Sequence, residues 1–296
     1  MIFERQRQLL ALLDALGGSV GFVDFQKLLF LYCEEPTSGR PYEFVPYKFG
    51  PFSFTSYADR RKLIERGLLR DDEGEWCLSD AGRKAVGGTR DFEVGAFTQR
   101  WRGTRGDELV AETYRRFPYY ATRSEIAERI LQRDTDALER IEAARPVTRV
   151  AAVSTIGYEG RTLESYLNEL LHAGVTLLCD VRRNPISRKY GFSKSTLAKG
   201  CEGVGIRYEH LPELGIASDQ RQSLESQADY DALFALYERK SLPLQGKALG
   251  TIQEWVRSGA RVALTCYERL PQQCHRHCVA EAMERRVGNG LEAQHL

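Results

Sequence analysis

Two short apolar runs, 149–156 and 175–181, bracket a helical pattern with one apolar face, and this order constrains the fold more than any other feature. The first run ends in TIGYEG. The helical pattern starts at Thr162, places Leu163, Tyr166, Leu167, Leu170 and Leu171 on one side, and stops at Gly174. Strands joined by a helix of this length run parallel, because antiparallel neighbours need only a tight turn. Further strands are expected at 206–211, 261–267 and 291–296, with helices at 230–239, 249–258 and 275–286. The expected fold over 149–296 is therefore a mainly parallel α/β sheet domain.

The front of the chain has a different rhythm. Residues 6–16 carry Leu9, Leu10, Leu12, Leu13 and Leu16 at helical spacing before Gly17-Gly18. A second helix is expected from Asp24, read as its N-cap, through Phe25, Leu28, Leu29 and Tyr32 to about Pro36. An aromatic extended stretch over 42–54 precedes a third helix at 55–66, and 68–78 reads as a hairpin around an acidic turn. Three helices followed by a hairpin is the order of a winged helix-turn-helix domain, placed at 1–88. The phrase YKFGPFS and the helix ending in ERGLL resemble small uncharacterised winged-helix proteins of prokaryotes. A charged helical connector fills 89–148, broken at Pro118, with its second helix expected over 124–144 behind Ser124 as N-cap.

A chain of 296 residues is long enough for two domains. Hydrophobic residues at 42% and charged residues at 28% suit folded globular structure. No run approaches the roughly 20 apolar residues that span a bilayer, and the N-terminus lacks a cleavage site, so a cytoplasmic protein without a membrane is expected. Seven cysteines, scattered from Cys33 to Cys278, suit reduced thiols better than a disulfide framework. A net charge of +1 leaves partners to be read from local clusters.

Those clusters gather after the expected strands. Tyr158 follows the first, Asp180 and Arg182 the second, and Glu268 the strand containing Cys266. In an open α/β sheet the ligand crevice lies outside the carboxyl ends of the strands, so groups distant in sequence meet there. Cys274, His275 and Arg276 stand at a helix start, where the dipole favours anions and lowers a thiol pKa, which makes Cys274 a candidate thiolate and Arg276 an anion clamp. The loop DVRRNPISRKYGFSK interleaves Arg182, Arg183, Arg188 and Lys189 with Tyr190 and Phe192, a mixture suited to nucleotides or single strands. On the front domain, Arg60, Arg61 and Lys62 are the candidate DNA contacts, read as available to solvent, although Asp71, Asp72, Glu73 and Glu75 on the wing would repel phosphate unless the wing points away.

TIGYEG, DVRRNP with Ser187, GIRYEHLPELG and CYERLPQQCHRHCVA together resemble the prokaryotic domain of unknown function 488 family over about 150–296. The resemblance implies an α/β domain with an enzymatic site carried by Tyr158, Asp180, Arg182, Cys266, Glu268, Cys274, His275 and Arg276, without a settled reaction. The family's paired glycine after the third strand's proline segment is replaced by Leu214-Gly215-Ile216.

The functional expectation is a DNA-binding protein whose α/β domain acts on nucleic acid or nucleotides, as a hydrolase or glycosylase-like enzyme of modified or damaged DNA, in repair or phage defence. Asp180, Glu268, Cys274 and Tyr158 are the catalytic candidates; Arg182, Arg183, Arg188, Lys189, His275 and Arg276 are the substrate or phosphate contacts. No cofactor and no metal are expected. A metal site built from Cys266, Cys274, Cys278 and a nearby histidine is an alternative to this, although its spacing matches no familiar zinc pattern. Two further alternatives stand: a winged-helix transcriptional regulator whose α/β domain senses a small anion, and a buried ion-pair network of Asp180, Arg182 and Glu268 without catalysis. Nucleic acid, most simply DNA, is the expected partner, and homodimerisation is left open.

Overall fold

Leu9, Leu10, Leu12 and Leu13, the stripe of the first helical pattern, are fully buried on α1 (Glu4–Ala15). The computed structural model describes residues 2–36, 38–87, 92–147, 152–217, 220, 224–288 and 290–296. The chain divides into two compact units, Met1–Arg145 and Pro146–Leu296. The 148/149 border read from the sequence, and the start of its first strand, lie outside the described residues. Among the described residues no helix is long and apolar enough to cross a membrane.

The first unit continues with β1 (Ser19–Gly21), α2 (Phe22–Cys33), β2 (Val45–Tyr47), β3 (Gly50–Phe52), α3 (Phe54–Glu65), β4 (Leu69–Arg70), β5 (Glu75–Leu78) and α4 (Asp80–Val86). β1, β5 and β4 form an antiparallel sheet in that order, while β2 and β3 make a separate hairpin from the aromatic stretch. Phe25 of α2 packs on the buried Trp76 of β5 with ring centroids 4.6 Å apart, joining helices to sheet. Ser53 caps α3 by accepting from the Ser56 N–H.

Two expectations here are corrected. Asp24 is not the N-cap of α2, which begins behind Gly21. Its carboxylate accepts instead from the Gly106 N–H at 2.9 Å, serving the start of another helix. Arg60 is not available to solvent. It is 9% exposed, stacks on Phe22, and donates to Asp71 and to the carbonyls of Asp72 and Glu75, because the β4–β5 turn folds over it.

The remainder of this unit is α5 (Phe92–Arg100), α6 (Gly106–Arg116), α7 (Ala127–Ile130) and α8 (Thr135–Ala143). These residues of the expected connector belong to the first unit: Phe117 and Tyr120 pack edge-on against Phe30 of α2. The single helix expected over 124–144 is two, because Asp134 turns its carboxylate onto the Ala137 N–H and starts a new helix. Lys27 of α2 is wholly buried, its Nζ donating to the Pro51 carbonyl at 3.2 Å.

The second unit holds β6 (Val153–Gly157), α9 (Leu163–His172), β7 (Leu177–Asp180), α10 (Lys194–Gly203), β8 (Arg207–His210), α11 (Gln227–Leu236), α12 (Gly246–Arg257), β9 (Val262–Cys266), α13 (Arg276–Val287) and β10 (Gln294–His295). Thr162 caps α9 in a reciprocal exchange with Ser165. The five strands are all parallel, in the order β10-β6-β9-β7-β8. The crossover read from the sequence therefore forms, but β9 lies between its two strands. Strand residues alternate between faces: Val153, Leu177, Cys179, Val262 and Leu264 pack with Phe234, Ile252, Val279 and Met283 of α11, α12 and α13. On the opposite face Tyr166 of α9 donates to Thr265 at 2.7 Å.

Candidate functional site

The carboxyl ends of β6, β9 and β7 open onto a pocket of about 310 Å³, lined by Tyr158, Arg182, Arg183, Asn184, Ile186, Ser187, Arg188, Ile216, Cys266 and Tyr267. Each strand supplies a wall because each ends at the same edge and hands its chain to a loop. Two glycines set the pocket's shape by backbone contact. A Cβ on Gly157, in β6, would collide with the Glu268 carbonyl, and one on Gly215 would collide with the Arg183 backbone.

Behind the pocket on the α9 and α10 face lies the first polar cluster. Asp180 is fully buried and its carboxylate is saturated: Oδ1 accepts from the Arg182 backbone N–H (3.1 Å) and Nε (2.8 Å), and Oδ2 from Arg182 Nη2 (2.5 Å) and the Tyr208 hydroxyl (2.6 Å). Burial first, then the Asp180 charge, pushes the Tyr208 phenol above its usual range. Arg182 spends its remaining donors on the Tyr158 hydroxyl (2.9 Å) and the Phe192 carbonyl (2.8 Å). Tyr158 stacks on Phe192 with centroids 4.4 Å apart and planes 7° from parallel. Arg182 is thus a buried brace that fixes Tyr158 and the loop after β7, and Asp180 holds the brace.

A second cluster lies on the opposite face, where Cys266 belongs by alternation with Val262 and Leu264. Cys266 Sγ is 3.4 Å from Glu268 Oε2 and 3.9 Å from His275 Nδ1. His275 Nε2 is 3.0 Å from the Val181 carbonyl. Arg276 is wholly buried, donating to the carbonyls of Glu268 (2.5 Å) and Arg269 (2.9 Å), and it ties down the loop between β9 and α13.

The expected site residues therefore separate. Tyr158, Arg182, Arg183 and Arg188 line the pocket. Lys189 stands beside it, its Nζ on the Tyr158 carbonyl at 3.1 Å, with burial lowering its pKa. Asp180 and Glu268 belong to different clusters, because Asp180 projects toward α9 and α10 while Glu268 neighbours Cys266. Arg276 is not an anion clamp, its guanidinium being turned to backbone carbonyls. The helix start does not by itself activate Cys274: the residue is buried ahead of α13, and burial, then the neighbouring Cys266, pushes its thiol well above the usual range. Loss of hydration outweighs the helix terminus there.

Sequence reasoning passed over Asn184, Ile186, Ile216 and Tyr267 as site residues. Ile186 is 76% exposed and Tyr267 45%, and large apolar side chains left in water at a pocket rim were the signal that position in the fold, not residue type, supplies. Arg183 and Arg188 are exposed and have no carboxylate partner among the described residues, so the described lining of the pocket is positively charged.

A family model described as Domain of unknown function DUF488 matches residues 162–283. The matched stretch includes Asp180, Arg182 and the second cluster, and leaves Tyr158 outside it. No curated protein matches the chain, and no solved structure does.

Proposed function

We propose that the second unit is a module that takes a phosphate-bearing aromatic ligand, a nucleotide or a nucleic-acid segment, into the pocket at the strand ends and acts on it. The observation that carries this reading is the pocket lining: Arg183 and Arg188 offer positive charge with no carboxylate partner among the described residues, and Tyr267, 45% exposed, offers an aromatic ring beside them. Cationic groups track phosphates while aromatic faces stack bases, and a cavity of this size suits one such unit. Arg182 is a positioning residue in this account, since its donors are already engaged.

The first unit, on this proposal, is a winged helix-turn-helix that engages duplex DNA. Supporting it are the order α1, β1, α2, the β2–β3 hairpin, α3, β4, β5 and the antiparallel sheet β1-β5-β4. Arg61 and Lys62 are the exposed cations of α3 and the contacts proposed; Arg60 holds the β4–β5 turn. A regulator that senses an anion without chemistry is the second reading, favoured by one observation: Asp180 is saturated and Cys274 is buried, so two of the expected catalytic groups have other work.

The test is incubation of the protein with unmodified, modified and damaged oligonucleotides and with nucleotides, followed by mass analysis and binding titrations. Arg183→Ala with Arg188→Ala is expected to weaken binding about tenfold or more and to reduce the salt slope by about 1.4 for a single strand, two phosphate contacts being lost. Unchanged affinity and slope sink the pocket assignment, and binding without any product favours the sensor. Arg61→Ala with Lys62→Ala is expected to weaken duplex binding while leaving the pocket's ligand unaffected.

A further inference from the structure

Three buried side chains of the second cluster point their donor atoms at one place. Sγ of Cys266, Sγ of Cys274 and a ring nitrogen of His275 lie within 4.8 Å of one another, and all three residues are at most 1% exposed. The Val181 carbonyl can only accept a hydrogen bond, so His275 Nε2 is the nitrogen that donates to it, and Nδ1, 3.9 Å from Cys266 Sγ, is the nitrogen placed to ligate. That is how proteins fix a ligating imidazole: one N–H is held by a backbone carbonyl while the other nitrogen faces the cation. Arg276 holds the chain between Cys266 and His275 through two carbonyls, which sets the spacing of the three donors.

We propose that Cys266, Cys274 and His275 bind one divalent transition-metal ion of the zinc class. Two thiolates and a neutral imidazole cancel the charge of such an ion, so the loaded cluster suits a dry interior. Binding replaces two S–H bonds by two S–metal bonds, and both protons leave to solvent. Sulfur and imidazole donors select zinc-like ions over magnesium or calcium. Three protein ligands leave a further coordination position, the arrangement of catalytic rather than structural sites. Cys266 is shared between this cluster and the pocket lining, and the Glu268 carboxylate stands beside it. On the pocket reading above, the ion supplies Lewis acidity at the pocket wall; that consequence rests on the proposed function, and the metal site itself does not.

The cluster differs from the set of Cys266, Cys274, Cys278 and a histidine that the sequence offers. Cys278 is not part of it; its Sγ lies 3.4 Å from His277 Nε2 instead. The experiment is metal analysis of the full chain purified under reducing conditions, followed by chelator stripping and titration with Co²⁺. One equivalent of metal per chain is expected, with thiolate-to-cobalt charge-transfer absorption and the strong visible bands of tetrahedral coordination. Cys278→Ser and Cys201→Ser are expected to keep that spectrum, while Cys266→Ser, leaving one thiolate, loses about half of the charge-transfer intensity and binds the ion more weakly. The proposal is overturned if the folded, reduced wild-type chain takes up no stoichiometric Co²⁺, binds it without thiolate charge transfer, or carries Cys266 and Cys274 as a disulfide. None of these readouts depends on nucleic-acid binding or turnover, so failure here and failure of the pocket reading are separable.

Discussion

Lys27 has lost its water without gaining an anion, and burial, only partly opposed by Asp24, lowers its pKa from 10.5 to about 7. Between those values the unfolded chain holds the proton that the folded chain has released, so this residue makes stability rise as pH climbs from about 7 to about 10.5. Below pH 7 the full penalty applies. Lys27→Met is therefore expected to stabilise the first unit by about 2 kcal/mol at pH 6, and by progressively less toward pH 10. Urea midpoints across that range check it, and a pH-independent gain would remove the lysine charge as the cause. Asp180 makes the opposite case. Its removal strands the Arg182 guanidinium in the interior, so Asp180→Ala is expected to cost about 3–5 kcal/mol, read as a lowered denaturation midpoint. Residue types in the sequence placed Asp180, Arg182 and Tyr158 near one another; what they do not encode is who saturates whom. Nothing in the letters distinguishes the braced Arg182 from Arg183 beside it, since the difference is burial, which only the packed loop creates.

Elements follow the same division. Periodicity was sufficient for α1, α9, β6, β7 and β9, whose apolar faces are buried where the pattern places them. α10, which begins where the basic loop over 180–194 ends, has no counterpart among the expected elements, because its buried residues are only Leu197, Gly200 and Cys201 and give no continuous stripe. The insertion of β9 between β6 and β7 was equally silent, because all three strands are fully buried and read alike from either side. Glycine gives the clearest test at this scale. Gly157 sits in β6 with the Glu268 carbonyl against it, so Gly157→Ala is expected to push the β9–α13 loop away. Thermal stability should fall by more than the 0.5–1 kcal/mol that glycine itself usually costs in a strand, and cobalt uptake by Cys266, Cys274 and His275 should weaken with it. Gly160→Ala probes a glycine with positive φ and no neighbour near its Cβ position. It is expected to leave the cobalt spectrum intact, isolating the contact at Gly157 from strain alone.

The molecule as a whole consists of two units, the first with buried clusters around Phe25, Trp76 and Phe30 and around Tyr114, Leu131 and Ile141, the second with a core around Leu177, Leu264 and Met283. Each core is of a size that folds independently, so chains 1–145 and 146–296 expressed separately are expected to melt cooperatively. A fragment without a cooperative transition would show that its core needs the rest of the chain. The strand order carries a further consequence for synthesis on the ribosome. β6 and β7 emerge early but share no backbone hydrogen bonds, since β9 occupies the place between them. Roughly 80 residues separate the end of β7 from β9, which at about 5–20 residues per second leaves β6 without a partner strand, and β7 paired only with β8, for several seconds. The emerging second unit is thus a client for chaperones until its fourth strand is made, and slowing translation across α11 and α12 should increase its loss to aggregation.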